Sequence, residues 1–193
     1  SSLVRRGSGP AVGPGPREQG GANREGRPSM DKSSLHARAE AEGVPAGLVD
    51  QITASEGLRL QAYRCPTGHV TIGWGHNLEA RPVPGIPCEV GAAITREQAD
   101  RLLVADLLDA RSDMLRRWPW AAHLDPPRQA VLWDMVFNMG AAKVAGFARA
   151  LHAMRTGDYP RAAAEMLDSL WARQVGGRAR RLARQMADNR WEG

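Results

Sequence analysis

Glu56-Gly-Leu-Arg-Leu-Gln-Ala-Tyr-Arg-Cys65-Pro-Thr-Gly-His-Val-Thr71-Ile-Gly-Trp-Gly-His76 carries one acid followed by the pattern of a tight β-hairpin. The acid stands at a helix end. Leu48, Val49 and Ile52 recur at helical spacing before it, Pro45 suits the first turn, and Gly57 breaks the pattern after it. Leu58, Leu60 and Ala62 then alternate with Arg59, Gln61 and Tyr63, the period of a strand. Cys65-Pro-Thr-Gly68 is a turn by composition, and 69–74 is the return strand, closed by Gly73 and Gly75. A short third strand is expected at 77–79. This arrangement can hold a carboxyl, a thiol and a hydroxyl around one cleft.

Working outward, a weak helix is expected over 35–42, ended by Gly43. Arg81-Pro-Val-Pro-Gly-Ile-Pro-Cys88 is a loop, because three prolines interrupt it. Thr95-Arg-Glu-Gln98 has the form of a capping box and opens a long helix. Its apolar stripe is Ala99, Leu102, Leu103, Ala105, Leu107 and Ala110, and Trp118-Pro-Trp120 ends it. Asp125 is the expected N-cap of the next helix, whose run Ala130-Val-Leu-Trp-Asp-Met-Val-Phe137 is apolar almost all round and so belongs at the centre. Gly140 and Gly146 mark breaks. Helices are expected over 147–155, ended by Gly157, then over 159–170 and 178–187. Met135, Met139, Trp133 and Phe137 are assigned to the core. The pattern predicts an α+β, mostly helical fold. A small β-hairpin lobe occupies about 57–80, a helical lobe takes 45–56 and about 95–190, and a cleft lies between them.

The 193 residues suffice for one or two small domains, and 42% hydrophobic content supports a core. No apolar run is long enough to span a bilayer, and no signal-peptide pattern is visible. Residues 1–29 are rich in Gly, Pro, Ser and Arg and almost empty of large apolar side chains, so they are expected to be a disordered, vector-derived tail, with Met30 as the native start and 30–193 as the catalytic domain. The net charge of +5 is uneven: residues 170–193 hold six arginines against Asp188 and Glu192. Such a patch is either a solvated face or a site for an anionic envelope surface. Two cysteines make no disulfide framework, and the histidines have no zinc spacing, so no metal or cofactor is expected. No apolar surface stripe is left over, which makes a monomer the default.

The order Glu56, eight residues, Cys65, five residues, Thr71 resembles the active-site segment of the phage-type, T4 lysozyme-like glycoside hydrolases and endolysins. Further islands in the same order extend the resemblance over roughly 45–190: Thr95-Arg-Glu-Gln-Ala, Asp134-Met-Val-Phe-Asn-Met-Gly140 followed by Val144-Ala-Gly-Phe147, and Ser169-Leu-Trp171 with Gly177-Arg178-Ala-Arg-Arg181. The resemblance implies a lysozyme-like fold and an endolysin, a muramidase cutting the β-1,4 bond between N-acetylmuramic acid and N-acetylglucosamine in bacterial peptidoglycan. It also implies host lysis, with accumulation in the host cytoplasm and release through a holin-type pore. Nucleic acid and stable membrane insertion are not expected.

Glycosidic cleavage needs a proton donor and a group to meet the oxocarbenium-like centre. Glu56 is the expected donor; the competing reading is an ordinary solvated Glu at a helix end. By resemblance Arg178 pairs with it, and a cation beside a carboxyl favours the charged form, which opposes the acid role. Cys65 departs from the Asp of the best-known members. A thiol, with a reference pKa of about 8.5, needs a neighbouring donor or cation before it can act as base or nucleophile. Inversion through a water and a covalent glycosyl intermediate both stay open. Thr71 is expected to hold the water between itself and Cys65. His76 is expected to brace the hairpin against the helical lobe. Asn138 and Trp171 are candidates for sugar contacts, with core packing the competing role for Trp171. A disulfide between Cys65 and Cys88 would silence the enzyme until reduced. The rival functions are a lytic transglycosylase, which needs one Glu and no water-holding partner, and a non-catalytic wall-binding or nucleic-acid-binding module.

Overall fold

In a computed structural model the described residues are 32–192, with no side-chain detail at 32 and 33; the expected tail and start at Met30 fall outside them. Two helices open the described chain: α1, Lys32–Ala41, and α2, Ala46–Glu56. Three short strands follow: β1, Arg59–Arg64, β2, Val70–Gly73, and β3, His76–Asn77. The long α3, Arg96–Arg117, leads through a 3₁₀ turn at Pro119–His123 to α4, Pro126–Met139. The remainder is α5, Ala141–Val144; α6, Ala148–Thr156; α7, Tyr159–Leu167; α8, Leu170–Val175; and α9, Gly177–Asp188. This is the expected mostly helical α+β architecture with a small antiparallel sheet, in the order β1-β2-β3.

The core lies around α4. Ala130 to Val136 are all buried, because the run is apolar on every side except at Asp134 and α2, α3 and α9 pack around it. The Trp133 indole, wholly enclosed, donates to the Leu107 carbonyl on α3 at 2.7 Å, so its polar atom carries no desolvation debt. Thr95 caps α3 as its sequence requires: its hydroxyl accepts from the Gln98 N–H at 3.1 Å, and Gln98 Oε1 accepts from the Thr95 N–H at 2.8 Å. Of the expected stripe, Ala99, Leu103, Leu107 and Ala110 are buried, Leu102 is half-buried and Ala105 is exposed.

Several local expectations shift. The third strand forms at His76–Asn77 instead of 77–79, since His76 pairs with Ile72 and Asn77 with Thr71. The period of two in β1 breaks at a register shift between Arg59 and Tyr63, which leaves Leu60 exposed while Ala62 is buried. The β lobe also runs further than 80. Ala62 N–H donates to Ala92 O at 2.8 Å and Ile94 N–H to Leu60 O at 2.9 Å, so the end of the proline loop covers the outer edge of β1. The helix expected over 159–170 ends at Leu167, and a further helix not expected from the sequence, α8, follows, because the Ser169 hydroxyl accepts from the Ala172 N–H at 3.0 Å and starts it. Asp125 sits at the N-cap of α4, but its carboxylate takes Arg128 and Asn189 instead of the helix N–H groups.

Three polar links fix the elements that carry the site. The Trp74 indole, just past β2, donates to Asp100 on α3 at 2.8 Å and ties the sheet to the helices. Gln51, buried in α2, meets Gln185 of α9 and donates to the Glu192 carbonyl at 2.9 Å. Gln185 donates in turn to Pro127 O at 2.7 Å, so α2, α4 and α9 share one buried amide cluster.

Candidate active site

Glu56 occupies the last turn of α2, which ends because Gly57 adopts φ 70° and turns the chain into β1. Its carboxylate lines a cavity of about 260 Å³ with Gly75, Asn77, Arg81, Asp106 and Asn138. Gly75 has φ +89°, and a Cβ there would lie 2.9 Å from Glu56 Oε2, so the backbone of the β2–β3 corner approaches the acid as closely as only glycine allows.

Arg178 reaches Glu56 from the first turn of α9. Its Nη1 donates to Glu56 Oε1 at 2.7 Å and its Nε to Asp134 Oδ1 at 2.8 Å. Asp134 is fully buried in α4 and Arg178 nearly so. Burial works against the guanidinium charge, but the two carboxylates outweigh it and hold Arg178 more firmly protonated than usual. Burial also pushes the Asp134 carboxyl up, against the pull of Arg178. Asp134 Oδ2 and Arg178 Nη2 are both buried without a partner, a cost of about 1–3 kcal/mol each for such groups. A second link from α9 runs beside the first, with Arg181 Nη2 donating to the Ser55 hydroxyl at 2.9 Å.

Cys65 stands at the turn between β1 and β2. Its N–H donates to His69 O at 2.9 Å, and its sulfur lies 3.0 Å from the Thr67 hydroxyl. The Thr67 hydroxyl is the main cause that lowers the thiol to about 7, against burial and with help from Thr71 and the backbone. Thr71 is buried on β2 opposite Tyr63, and its hydroxyl donates to His69 O at 3.2 Å. Turned to the sulfur, the same proton stabilises a thiolate. Cys65 and Cys88 are both free thiols here, Cys88 being exposed.

His76 is buried and holds both ring nitrogens in hydrogen bonds: Nδ1 with Asp106 on α3 at 2.8 Å and Nε2 with the Arg81 carbonyl at 2.8 Å. Burial disfavours its charge, but the Asp106 carboxylate and the Arg81 carbonyl raise its pKa overall; a ring donating from both nitrogens is an imidazolium. Asn138 is exposed at the end of α4, where its Oδ1 accepts from the Trp171 indole at 2.9 Å. Trp171 is only 7% exposed and meets Phe147 edge to face at 5.9 Å, so most of its ring is spent on packing. Asn138, Trp171 and Thr67 are among the residues lining a second cavity of about 840 Å³, and Asn138 borders both cavities.

The structure thus gathers Glu56 and Asn138 at one cavity, with Arg178 bonded to Glu56 from behind it, and Cys65 with Thr71 at the hairpin. Asp106, Asp134, Thr67 and Gly75 were not identified from the sequence as site residues. Only Asp134 carried a legible signal, since an acid inside an apolar helix demands a cation. Among the described residues no group of three His, Cys, Asp or Glu could hold a metal ion, and no described helix is long and apolar enough to cross a membrane.

The model of the family described as phage lysozyme matches residues 53–188. The chain is 34% identical to the pre-baseplate central spike protein Gp5 of Enterobacteria phage T4, over 70% of this chain and 26% of that protein. It is 31% identical to an endolysin of Acyrthosiphon pisum secondary endosymbiont phage 1, over 58% of this chain and 69% of the relative. It is 25% identical to a probable T4-type lysozyme 2 of Dictyostelium discoideum, over 71% of this chain and 91% of the relative. The chain therefore spans about a quarter of the spike protein and most of the other two.

Proposed function

The chain belongs to the phage lysozyme family, and on that premise we propose that it is a muramidase of the endolysin type. It hydrolyses the β-1,4 bond between N-acetylmuramic acid and N-acetylglucosamine in bacterial peptidoglycan, within a catalytic domain over 30–193. Glu56 gives its proton to the leaving oxygen. Arg178 holds the Glu56 carboxylate in place between substrates. Cys65 and Thr71 handle the attacking water or face the cationic centre, His76 braces the hairpin through Asp106, and Asn138 and Trp171 border the sugar-sized space. The observation that carries the reading is the acid at the end of α2, lining a cleft and gripped by Arg178 at 2.7 Å. Its biology is host lysis after release from the cytoplasm through a holin-type pore, with the exposed Arg173, Arg180 and Arg190 adhering to anionic envelopes.

Turbidity loss of a purified peptidoglycan suspension tests it. Glu56→Gln should lose activity by about a hundredfold or more with the fold intact, and Cys65→Ala should lose it in part or whole. Undiminished turnover in Glu56→Gln removes the enzyme reading and leaves a wall-binding module. Mass spectrometry of the products separates hydrolysis, which leaves reducing ends, from transglycosylation, which leaves 1,6-anhydro ends. Equal rates with and without reductant reject silencing by a disulfide.

A further inference from the structure

We propose that Asp134 is a positioning residue that lets Glu56 serve as an acid beside a permanent cation: buried one guanidinium away from the cleft, it takes up the charge of Arg178 that would otherwise fall wholly on Glu56. The inference rests on Glu56 as the proton donor. Arg178 cannot give up its proton, so a lone Glu56–Arg178 pair is neutral only when the carboxyl is ionised. That would disarm the donor. The structure supplies a second carboxylate on the other edge of the same guanidinium, 2.8 Å from Nε, while Nη1 holds Glu56 at 2.7 Å.

Two carboxylates on one cation leave one negative charge in excess when both are ionised. With a single proton on either acid the trio is neutral, the state a water-poor interior favours. The proton then belongs to the trio as a unit instead of to one residue. The directions at Asp134 agree: burial raises it, and the charge of Glu56 raises it further, while Arg178 and Arg181 pull it down. The other groups facing the acid are few. Tyr63 comes from β1, Arg81 from the loop, Asp106 and Asp113 from α3, and Asp134, Arg178 and Arg181 from α4 and α9. Arg81 is already engaged by Asp106 and Asp109, so Arg178 is the cation in direct contact with Glu56. Asp134 is also the position where the sequence is at odds with its own helix, a carboxylate with one unpaired oxygen in a run of buried apolar residues.

Asp134→Asn isolates the charge, because the amide oxygen still accepts from Arg178 Nε. The rate of peptidoglycan turbidity loss is measured against pH for the parent, Asp134→Asn and Glu56→Gln. The expected result is that the alkaline limb of the Asp134→Asn profile moves to lower pH by about one unit, a tenfold loss above the limb, with the acid-side rate kept. Cys65 and His76 are unchanged in both proteins and cannot produce that difference. A limb that stays put overturns the proposal. So does a folded variant that is slower by the same factor at every pH, which would make Asp134 a merely structural support. If Asp134→Asn does not fold, ¹³C carboxyl NMR of the unmutated protein decides: Glu56 and Asp134 must titrate in two shared steps, and independent single-step curves overturn the proposal. Activity surviving in Glu56→Gln sinks the acid assignment itself, whichever way the Asp134 profile falls.

Discussion

Gly75→Ala separates backbone strain from misplacement of the acid. Gly75 has φ +89°, in the left-handed region, where an alanine costs about 1–2 kcal/mol. Gly85 has φ +80° with nothing within 4 Å of its would-be Cβ, so Gly85→Ala suffers that cost alone. At Gly75 the new methyl meets Glu56 Oε2 at 2.9 Å and Cδ at 3.4 Å. Ordinary contact begins at 3.4 Å, so the carboxylate must retreat by about 0.5 Å, against its hydrogen bond to Arg178. A misplacement of about 1 Å can cost a hundredfold in rate, so half of that costs about tenfold. Both variants should therefore melt about 2–8 °C below the parent, from about 2–4 °C per kcal/mol in a chain of this size. Only Gly75→Ala should lose about a factor of ten in peptidoglycan turbidity assays run well below melting. Equal activity of the two variants at equal loss of stability would refute the claim that the β2–β3 corner sets the position of Glu56.

Three further outcomes can be checked. The Cys65 thiol should react with iodoacetamide with a midpoint near pH 7, and Thr67→Ala should move that midpoint upward; an unmoved midpoint shows that the 3.0 Å hydroxyl contact does not stabilise the thiolate. His76 is raised above its ordinary value in the folded state, so the folded protein binds more protons than the unfolded chain above about pH 6.5, and the stability it gains from Asp106 is full below that pH and falls as pH rises through the folded value. The difference in urea unfolding free energy between the parent and His76→Gln should accordingly shrink from pH 6 upward, and a pH-independent difference contradicts the imidazolium assignment. Gly47→Ala places a methyl 2.5 Å from the Trp191 ring and should destabilise by about 1 kcal/mol, whereas in a Trp191→Ala background the better helix former should stabilise by about 0.5–1 kcal/mol; the same sign in both backgrounds shows that Trp191 does not lie on α2 in solution.

The parts of this molecule that were legible in its residues are those governed by local rules. Gly57 ends α2 because the chain must turn through positive φ there, and Thr95 with Gln98 caps α3 through atoms three residues apart. The buried run of α4 and the turn at Cys65 follow from composition and period alone. One boundary moved where a side chain capped a new helix: Ser169 ends the helix expected over 159–170 early and starts α8. α4 begins after Asp125 as expected, although the Asp125 carboxylate meets Arg128 and Asn189 instead of the helix N–H groups.

Glu56, Cys65 and Thr71 lie within one continuous string, so their spacing was readable, and the Arg178 partner was named only through family likeness. Which elements form and which residues carry reactive groups could be read along the chain, because helix caps, turns and hydrophobic period act over a few residues. What surrounds those groups came from the folded arrangement: Asp134 behind Arg178, Asp106 behind His76, the Gly75 backbone against Glu56. Those contacts join residues 19 to 44 positions apart, across four helices and a sheet. Charge and close packing act through space, and nothing in the order of residues states which of many buried or charged side chains will meet until the core has closed.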